Sequence, residues 1–448
     1  MTGAMGEIAT VTVDPARARV YAEGWQSWSA TDVYPATAPP QPVTSRESLA
    51  IDFQYGHAAP GGVFRGTGLL AIDPGDGGPV SVFGAPGPSS RVPVIHAALR
   101  GTSFVVSADG CVVGPRGPDL AGALGEWAGS FAAMAGVKGL RAIPPVWCSW
   151  YSFGPEVTAA GVAESAGRMS SLGLPVDVVQ IDDGYQARIG DWLTPSGRFG
   201  DLPGLVARIT DSGRRAGIWI APMLAGRSSE LYAAHPDWVV RSLGSGDPVY
   251  AGNVCRDMCT ALDLSCPAAA EYLGGVLSAM RDWGITYFKI DFCYAGAYEG
   301  ARHEGMTGVE AYRLGLRMIR EAIGPEAFLV GCGAPVLPSV GLVDAMRVGP
   351  DIAASWEPAG SPQHPTMPSQ RNASRNVVAR AWQHGRFWVN DPDCLMLRPA
   401  AARRADWASV VERYGGLRAS GDEPGQLDDW ALETTRRLLV PSPLDPFT

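Results

Sequence analysis

Histidine is scarce in this chain: six in 448 residues, no two of them at metal-ligand spacing. The plain reading is six scattered surface or core residues, and no metal is expected. No run approaches the ~20 apolar residues of a membrane-spanning helix. The opening "MTGAMGEIATVTVDPARARV" lacks the basic and apolar regions of a secretory signal. Positive charge is in deficit, with 36 Lys+Arg against 45 Asp+Glu and a net charge of −9. That argues against nucleic acid or an anionic membrane as partner. Eight cysteines (Cys111, Cys148, Cys255, Cys259, Cys266, Cys293, Cys332 and Cys394) are thinly spread, as reduced thiols of a cytoplasmic protein would be. Cofactor motifs are also missing. "CRDMCTALDLSC" has Leu262 where a radical cluster would need its third cysteine, and "GCGAPV" lacks the third glycine of a dinucleotide loop.

What is present is an ordinary globular composition, 46% hydrophobic and 18% charged, with 56 glycines and 37 prolines marking many turns. The length exceeds one small core. Residues 1–118 read as all-β: "GLLAID", "VSVFGA" and "TSFVVSADGCVVG" are short, Val- and Phe-rich, and separated by Gly/Pro clusters. Residues 119–142 begin Ala-rich at helical spacing and read as a helical connector. From 143 to 425 strands alternate with amphipathic segments such as 156–173, 202–217 and 308–324. Eight strands are expected, near 146–150, 176–182, 217–222, 286–292, 327–332, 345–351, 386–391 and 415–422. The expected fold class is α/β, a (β/α)8 TIM barrel behind an N-terminal β-sandwich-like domain. A doubly wound sheet is the alternative. Residues 426–448 are expected as a C-terminal tail.

The strand "TYFKIDFC" (286–293) carries two charges in an otherwise apolar run. Side chains alternate faces along a strand. Phe288, Ile290 and Phe292 share one face; Tyr287, Lys289 and Asp291 share the other, which points into a barrel. A buried structural ion pair would explain Lys289 and Asp291 alone. Other strands share the habit, however. "VVQIDDGY" ends in Asp182 and Asp183, "AMRVGPDIAASW" carries Arg347 and Asp351, and "FWVNDPDC" ends in Asn390, Asp391 and Asp393. Helix capping needs one carboxylate, not two. Trp147 and Trp150 fall on the first strand, Trp219 on the third, and "EGWQSWSA" supplies Trp25 and Trp28. Trp147 suits the core. Trp150 and Trp219 sit nearer strand ends, the catalytic face of a barrel. Carboxylates accept hydrogen bonds from hydroxyls and indoles cover the C–H face of a ring, so a neutral polyhydroxylated ligand fits.

In order along the chain, "GWQSW", "WCSWYSFG", "QIDDGY", "YFKIDFC", "GCGAPVLPSVGLVDAMRVGPDIAASW" and "RFWVNDPDC" resemble the α-galactosidases of glycoside hydrolase family 36, and more distantly the clan shared with family 27. The resemblance covers about residues 20–425. It implies a barrel with an N-terminal β-sandwich that hydrolyses terminal α-galactosides with retention, with no cofactor and a small-molecule α-galactoside as substrate; the oligomeric state is left open. It implies Asp291 as nucleophile and Asp351 as general acid/base. Asp182 and Asp183 would bind the 4- and 6-hydroxyls. Lys289 and Arg347 would contact ring hydroxyls and the catalytic carboxylates. Trp150, Trp219, Cys293, Cys332 and Gly333 would line the glycone pocket, with Trp25 reaching in from the N-terminal domain and Asp393 nearby. Against the family pattern, the N-terminal domain is short and a C-terminal β domain is reduced or missing. The small Gly333, near the sugar's 2-position, would leave room for an acetamido group. Alternatives on the same fold are an α-N-acetylgalactosaminidase and a raffinose-type transglycosylase. A Mg²⁺-dependent barrel would use the strand-end acids as ligands, but Lys289 beside Asp291 argues against it. A non-catalytic sugar binder would need neither Asp291 nor Asp351.

Overall fold

The computed structural model describes residues 4–41, 45–56, 59–254, 257–359 and 365–440. Cys255 lies outside them; the other seven cysteines are free thiols. No helix of the described residues is long and apolar enough to cross a membrane.

The N-terminal part packs two antiparallel sheets face to face. One has four strands, in spatial order Gly6–Thr12, Ser103–Ala108, Val94–Arg100 and Val63–Thr67. The other has five, in order Asp32–Pro35, Arg19–Ala22, Leu69–Asp73, Val80–Gly84 and Arg116–Gly117. Alternation puts Val20, Leu70 and Ile72 of one sheet against Phe64, Ile95, Ala97, Phe104 and Val106 of the other. The helix Leu120–Ala135 starts at Asp119, whose carboxylate accepts from the Gly122 N–H, and stops at the left-handed Gly136. It buries Leu124, Trp127, Ala128 and Phe131 along one face. The Trp127 indole donates to the Ala85 carbonyl at 3.1 Å, and its ring also packs on Trp382 and Phe387 from the following domain.

Eight parallel strands then follow, in the order given as the first to eighth barrel strands: Pro145–Cys148, Val178–Ile181, Arg215–Ile220, Ile285–Ile290, Phe328–Gly331, Ala345–Arg347, Val389–Asp391 and Arg418–Ser420. The first strand pairs with the eighth, and the Leu417 N–H reaches the Asn390 carbonyl at 2.8 Å, bringing the seventh and eighth together. Val146, Val178, Tyr287, Phe328, Val330, Ala345, Val389 and Ala419 fill the interior. Gly217 on the third strand makes room there, since a Cβ would stand 2.9 Å from the Tyr287 ring. Phe288 and Ile290, of opposite parity, join the layer between strands and helices.

Two expectations need correction. The first strand ends at Cys148, and Trp150 instead opens the short helix Trp150–Phe153. The segment expected as a tail begins with a helix, Asp429–Leu439, capped by Asp428 and buried along Ala431, Thr435, Leu438 and Leu439. It packs on the eighth strand as the last helix of the barrel. Residues 441–448 lie outside the described residues.

Candidate active site

Asp291 is the first residue beyond the fourth strand, and its N–H donates to the Ile220 carbonyl at 2.9 Å. The next residue, Phe292, turns the chain at φ 52, a left-handed conformation costing an L residue roughly 1–2 kcal/mol. That turn aims the Phe292 N–H back at Asp291 Oδ1, 2.8 Å away. The Trp219 indole N–H, on the adjacent third strand, donates to Oδ2 at 3.0 Å. Asp291 thus accepts one hydrogen bond on each oxygen, as suits an anion.

Lys289 does not pair with Asp291. Its ammonium lies 3.0 Å from Asp182 Oδ2, at the end of the second strand. Burial, the largest single influence, pushes the ammonium down; the Asp182 carboxylate together with the Cys148 and Cys332 sulfurs outweighs it and holds Lys289 well above its ordinary range. The Gln180 amide N–H reaches the same oxygen at 2.6 Å, and the Asp183 N–H donates to Oδ1 at 2.9 Å. Asp183 in turn accepts from the Gln186 amide at 2.6 Å. The pair is therefore a cluster of acceptors held in place by neighbouring donors.

On the opposite side Arg347, at the end of the sixth strand, spreads its guanidinium over three carboxylates. Nη1 is 3.0 Å from Asp351, Nε 3.2 Å from Asp391, and Nη2 2.9 Å from Asp393. Asp393 has a left-handed φ of 91 and also accepts from the Tyr151 hydroxyl and from the Ile352 N–H at 2.9 Å. Tyr151 packs on Gly421, where a Cβ would meet its ring at 2.7 Å. Asp351 itself is left 35% exposed on its side chain while its neighbours are sealed. Burial, then the Asp393 charge, pushes the Asp351 carboxyl up to about 7, against the pull of Arg347 and Lys289; the Asp291 charge adds to the rise.

Of the expected site residues, Asp182, Asp183, Trp219, Lys289, Asp291, Arg347, Asp351 and Asp393 converge at the C-terminal ends of the strands. Trp150 is half-buried just after the first strand. Cys293 and Cys332 are fully buried behind Asp291, their thiols pushed up by burial, and present no surface to a ligand. Trp25 is buried in the core, 4% exposed. The tryptophan that meets the Asp291 turn is Trp28, half-buried, its ring 5.2 Å from Phe292 and edge-on. Trp28 also occupies the space beside Gly333, where a Cβ would stand 2.9 Å from its ring. Sequence reasoning missed the roles of Gln180, Tyr151 and Asp391. Inward parity on the second strand would have flagged Gln180; Tyr151 carries no such signal. Among the described residues, no group of His, Cys, Asp and Glu has the arrangement of a metal site.

This arrangement has counterparts in known proteins. The Melibiase family model matches residues 146–326, which hold Asp182, Asp183, Lys289 and Asp291. The structure of TtGalA, an α-galactosidase from Thermus thermophilus in complex with p-nitrophenyl α-D-galactopyranoside, is similar over 97% of this chain and 92% of that one, at 28% identity and a TM-score of 0.79. The chain thus resembles the melibiase family in sequence over residues 146–326 and a solved α-galactosidase in fold over nearly its whole length. Among curated proteins, the chain is 34% identical to the bifunctional α-galactosidase/sucrose kinase AgaSK of Mediterraneibacter gnavus over 152 residues, 32% of the chain and 15% of that protein. It is 30% identical to the A type blood α-D-galactosamine galactosaminidase of Flavonifractor plautii over 181 residues, 36% of the chain and 16% of that protein. The matched part is thus less than a fifth of either curated relative's length.

Proposed function

We propose that this chain is a retaining α-galactosidase that removes terminal α-linked galactose by double displacement. The observation that carries the reading is the unequal treatment of two carboxyls at one barrel mouth. Asp291 is held by two N–H donors, whereas Asp351 is pushed up to about 7 and keeps 35% of its side chain exposed at the mouth. Retaining glycosidases need that division: one carboxylate attacks C1 while a protonated partner, with the two groups about 5–5.5 Å apart, protonates the departing oxygen. Asp291 Oδ attacks, the C1–O bond breaks, and the Asp351 proton goes to the aglycone. Glycosylation removes the Asp291 charge, so the Asp351 carboxyl then falls and takes a proton from the attacking water.

Asp182, paired with Lys289, and Asp183 accept from the galactose hydroxyls, and Trp150 and Trp219 border the ring. The test is a panel of aryl α-galactoside, α-N-acetylgalactosaminide and α-glucoside, run without added metal on the wild type, Asp291→Asn and Asp351→Asn. Turnover of the galactoside, abolished by Asp291→Asn, is expected. Activity on none of the three, or a fully active Asp291→Asn, refutes the assignment.

A further inference from the structure

The N-terminal sandwich is not a bystander to the barrel. Its turn 25–29 docks on the loop after the fifth strand by backbone hydrogen bonds: Ser27 N–H to the Ala334 carbonyl at 2.9 Å, and Val336 N–H to the Trp25 carbonyl at 3.0 Å. From behind, the fully buried Arg380 pairs with Glu23 at 2.7 Å and donates to the carbonyls of Gln26 and Ser27, while the Asn376 amide donates to the Ser29 carbonyl at 2.9 Å. Both termini of the turn are therefore fixed, and Trp28 is carried at its apex.

The Trp28 ring lies edge-on to Phe292 (5.2 Å, 86°) and to Tyr294 (5.9 Å, 68°). On another side Phe292 meets Trp219 (6.5 Å, 84°). Phe292 is thus flanked by two indoles, of which Trp219 binds Asp291 directly. The Tyr294 N–H is tied to the Gly333 carbonyl at 2.7 Å, in the loop against which Trp28 rests. Phe292 holds a left-handed conformation that such a residue adopts only when its surroundings enforce it. That conformation is what directs its N–H at Asp291 Oδ1.

We infer that Trp28 is a positioning residue for the nucleophile: by packing on Phe292 it keeps the turn that holds the Asp291 carboxylate, so the N-terminal domain completes the active site. Without Trp28, one side of Phe292 is empty. The backbone can then relax toward the right-handed region and carry its N–H away from Oδ1. An ångström of misplacement at a reacting atom is worth on the order of 100-fold in rate, so a loss of about 10- to 100-fold is expected.

This inference rests on the α-galactosidase reading, and the experiment separates the two. Trp28→Ala, Trp28→Leu and Trp28→Phe are compared with wild type for kcat and KM on an aryl α-galactoside. Further readouts are the rate of covalent trapping of Asp291 by an activated 2-deoxy-2-fluorogalactoside, followed by intact mass, and the inhibition constant of free galactose. Thermal melting reports the fold. Trp28→Ala and Trp28→Leu should lower kcat and the trapping rate by about 10- to 100-fold while galactose inhibition moves less than about threefold; Trp28→Phe, which keeps an edge on Phe292, should recover most of the rate. If Trp28→Ala fails to fold, Trp28→Leu against Trp28→Phe carries the same expectation. Unchanged trapping in folded variants overturns the inference, as does a parallel weakening of galactose binding that Trp28→Phe does not restore. A wild type that neither turns over nor traps sinks the α-galactosidase reading, and this one with it.

Discussion

The pH dependence of kcat/KM, measured with an α-galactoside whose leaving group is poor, tests the assignment of Asp351. Only the protonated form can deliver a proton to the departing oxygen. With its carboxyl pushed up to about 7, about half of the free enzyme is competent at pH 7, about a tenth at pH 8 and about a hundredth at pH 9. The alkaline limb should therefore begin near neutrality and fall about tenfold per pH unit. Asp393→Asn supplies the perturbation. Asp393 is the largest charge among the causes that raise Asp351, and the amide keeps an oxygen able to accept from the Ile352 N–H. Removing that negative neighbour makes ionisation of Asp351 easier. It also leaves Arg347 with fewer carboxylates to serve, and both effects lower the carboxyl. The limb must then move toward acid. An aryl leaving group that departs without a proton gives a further arm, in which the limb should flatten for wild type and mutant alike. A wild-type profile flat from pH 6 to 9 with the poor leaving group would refute the acid/base role. A limb that Asp393→Asn leaves in place or moves toward alkali would refute the electrostatic account.

Two further outcomes follow from the buried charges. Lys289→Met strips Asp182 of its ammonium, and a charge-assisted bond of this kind is worth roughly 1.5–3 kcal/mol; kcat/KM on the galactoside should fall about 10- to 100-fold, and a change under threefold would count against Lys289 as the organiser of Asp182. Arg380→Met strands a fully buried Glu23, which should cost about 3–5 kcal/mol of stability in urea titration. The double variant Glu23→Met with Arg380→Met should recover much of that loss, and equal losses in single and double variants would contradict the pairing.

Much of this site was legible from period alone. Parity separated Phe288 and Ile290, which face the helices, from Tyr287 and Lys289, which face the interior. The repeated acidic strand ends located the mouth, and the ordered motifs named the family. The lysine's partner was not legible. Layers inside a barrel are built from alternate strands, so Lys289 on the fourth strand meets Asp182 after the second, past Trp219 on the third, with which it is in register. Trp25 and Trp28 lie three residues apart in a turn without periodicity, so only the docking of that turn decides which ring meets the site. The last helix is a different kind of miss: its cap at Asp428 and its buried positions 431, 435, 438 and 439 carry a helical spacing that could have been read.

The division of few cations among many carboxyls explains how one mouth can treat the proposed acid and the proposed nucleophile differently at the same pH. Lys289 and Arg347 face Asp182, Asp183, Asp291, Asp351, Asp391 and Asp393. The ammonium is committed to Asp182 and the guanidinium is shared three ways, so Asp351 receives only one donor from it. Burial and the remaining negative charge nearby then push its carboxyl up. Asp291 needs neither cation, because the Trp219 indole and the Phe292 backbone supply its hydrogen bonds. A lysine placed directly on Asp291, as the strand sequence invites, would also have pulled on Asp351 and opposed its protonation. Holding the proposed nucleophile with neutral donors, one from the barrel and one from the turn against which Trp28 packs, leaves the cations free to set the other carboxyls.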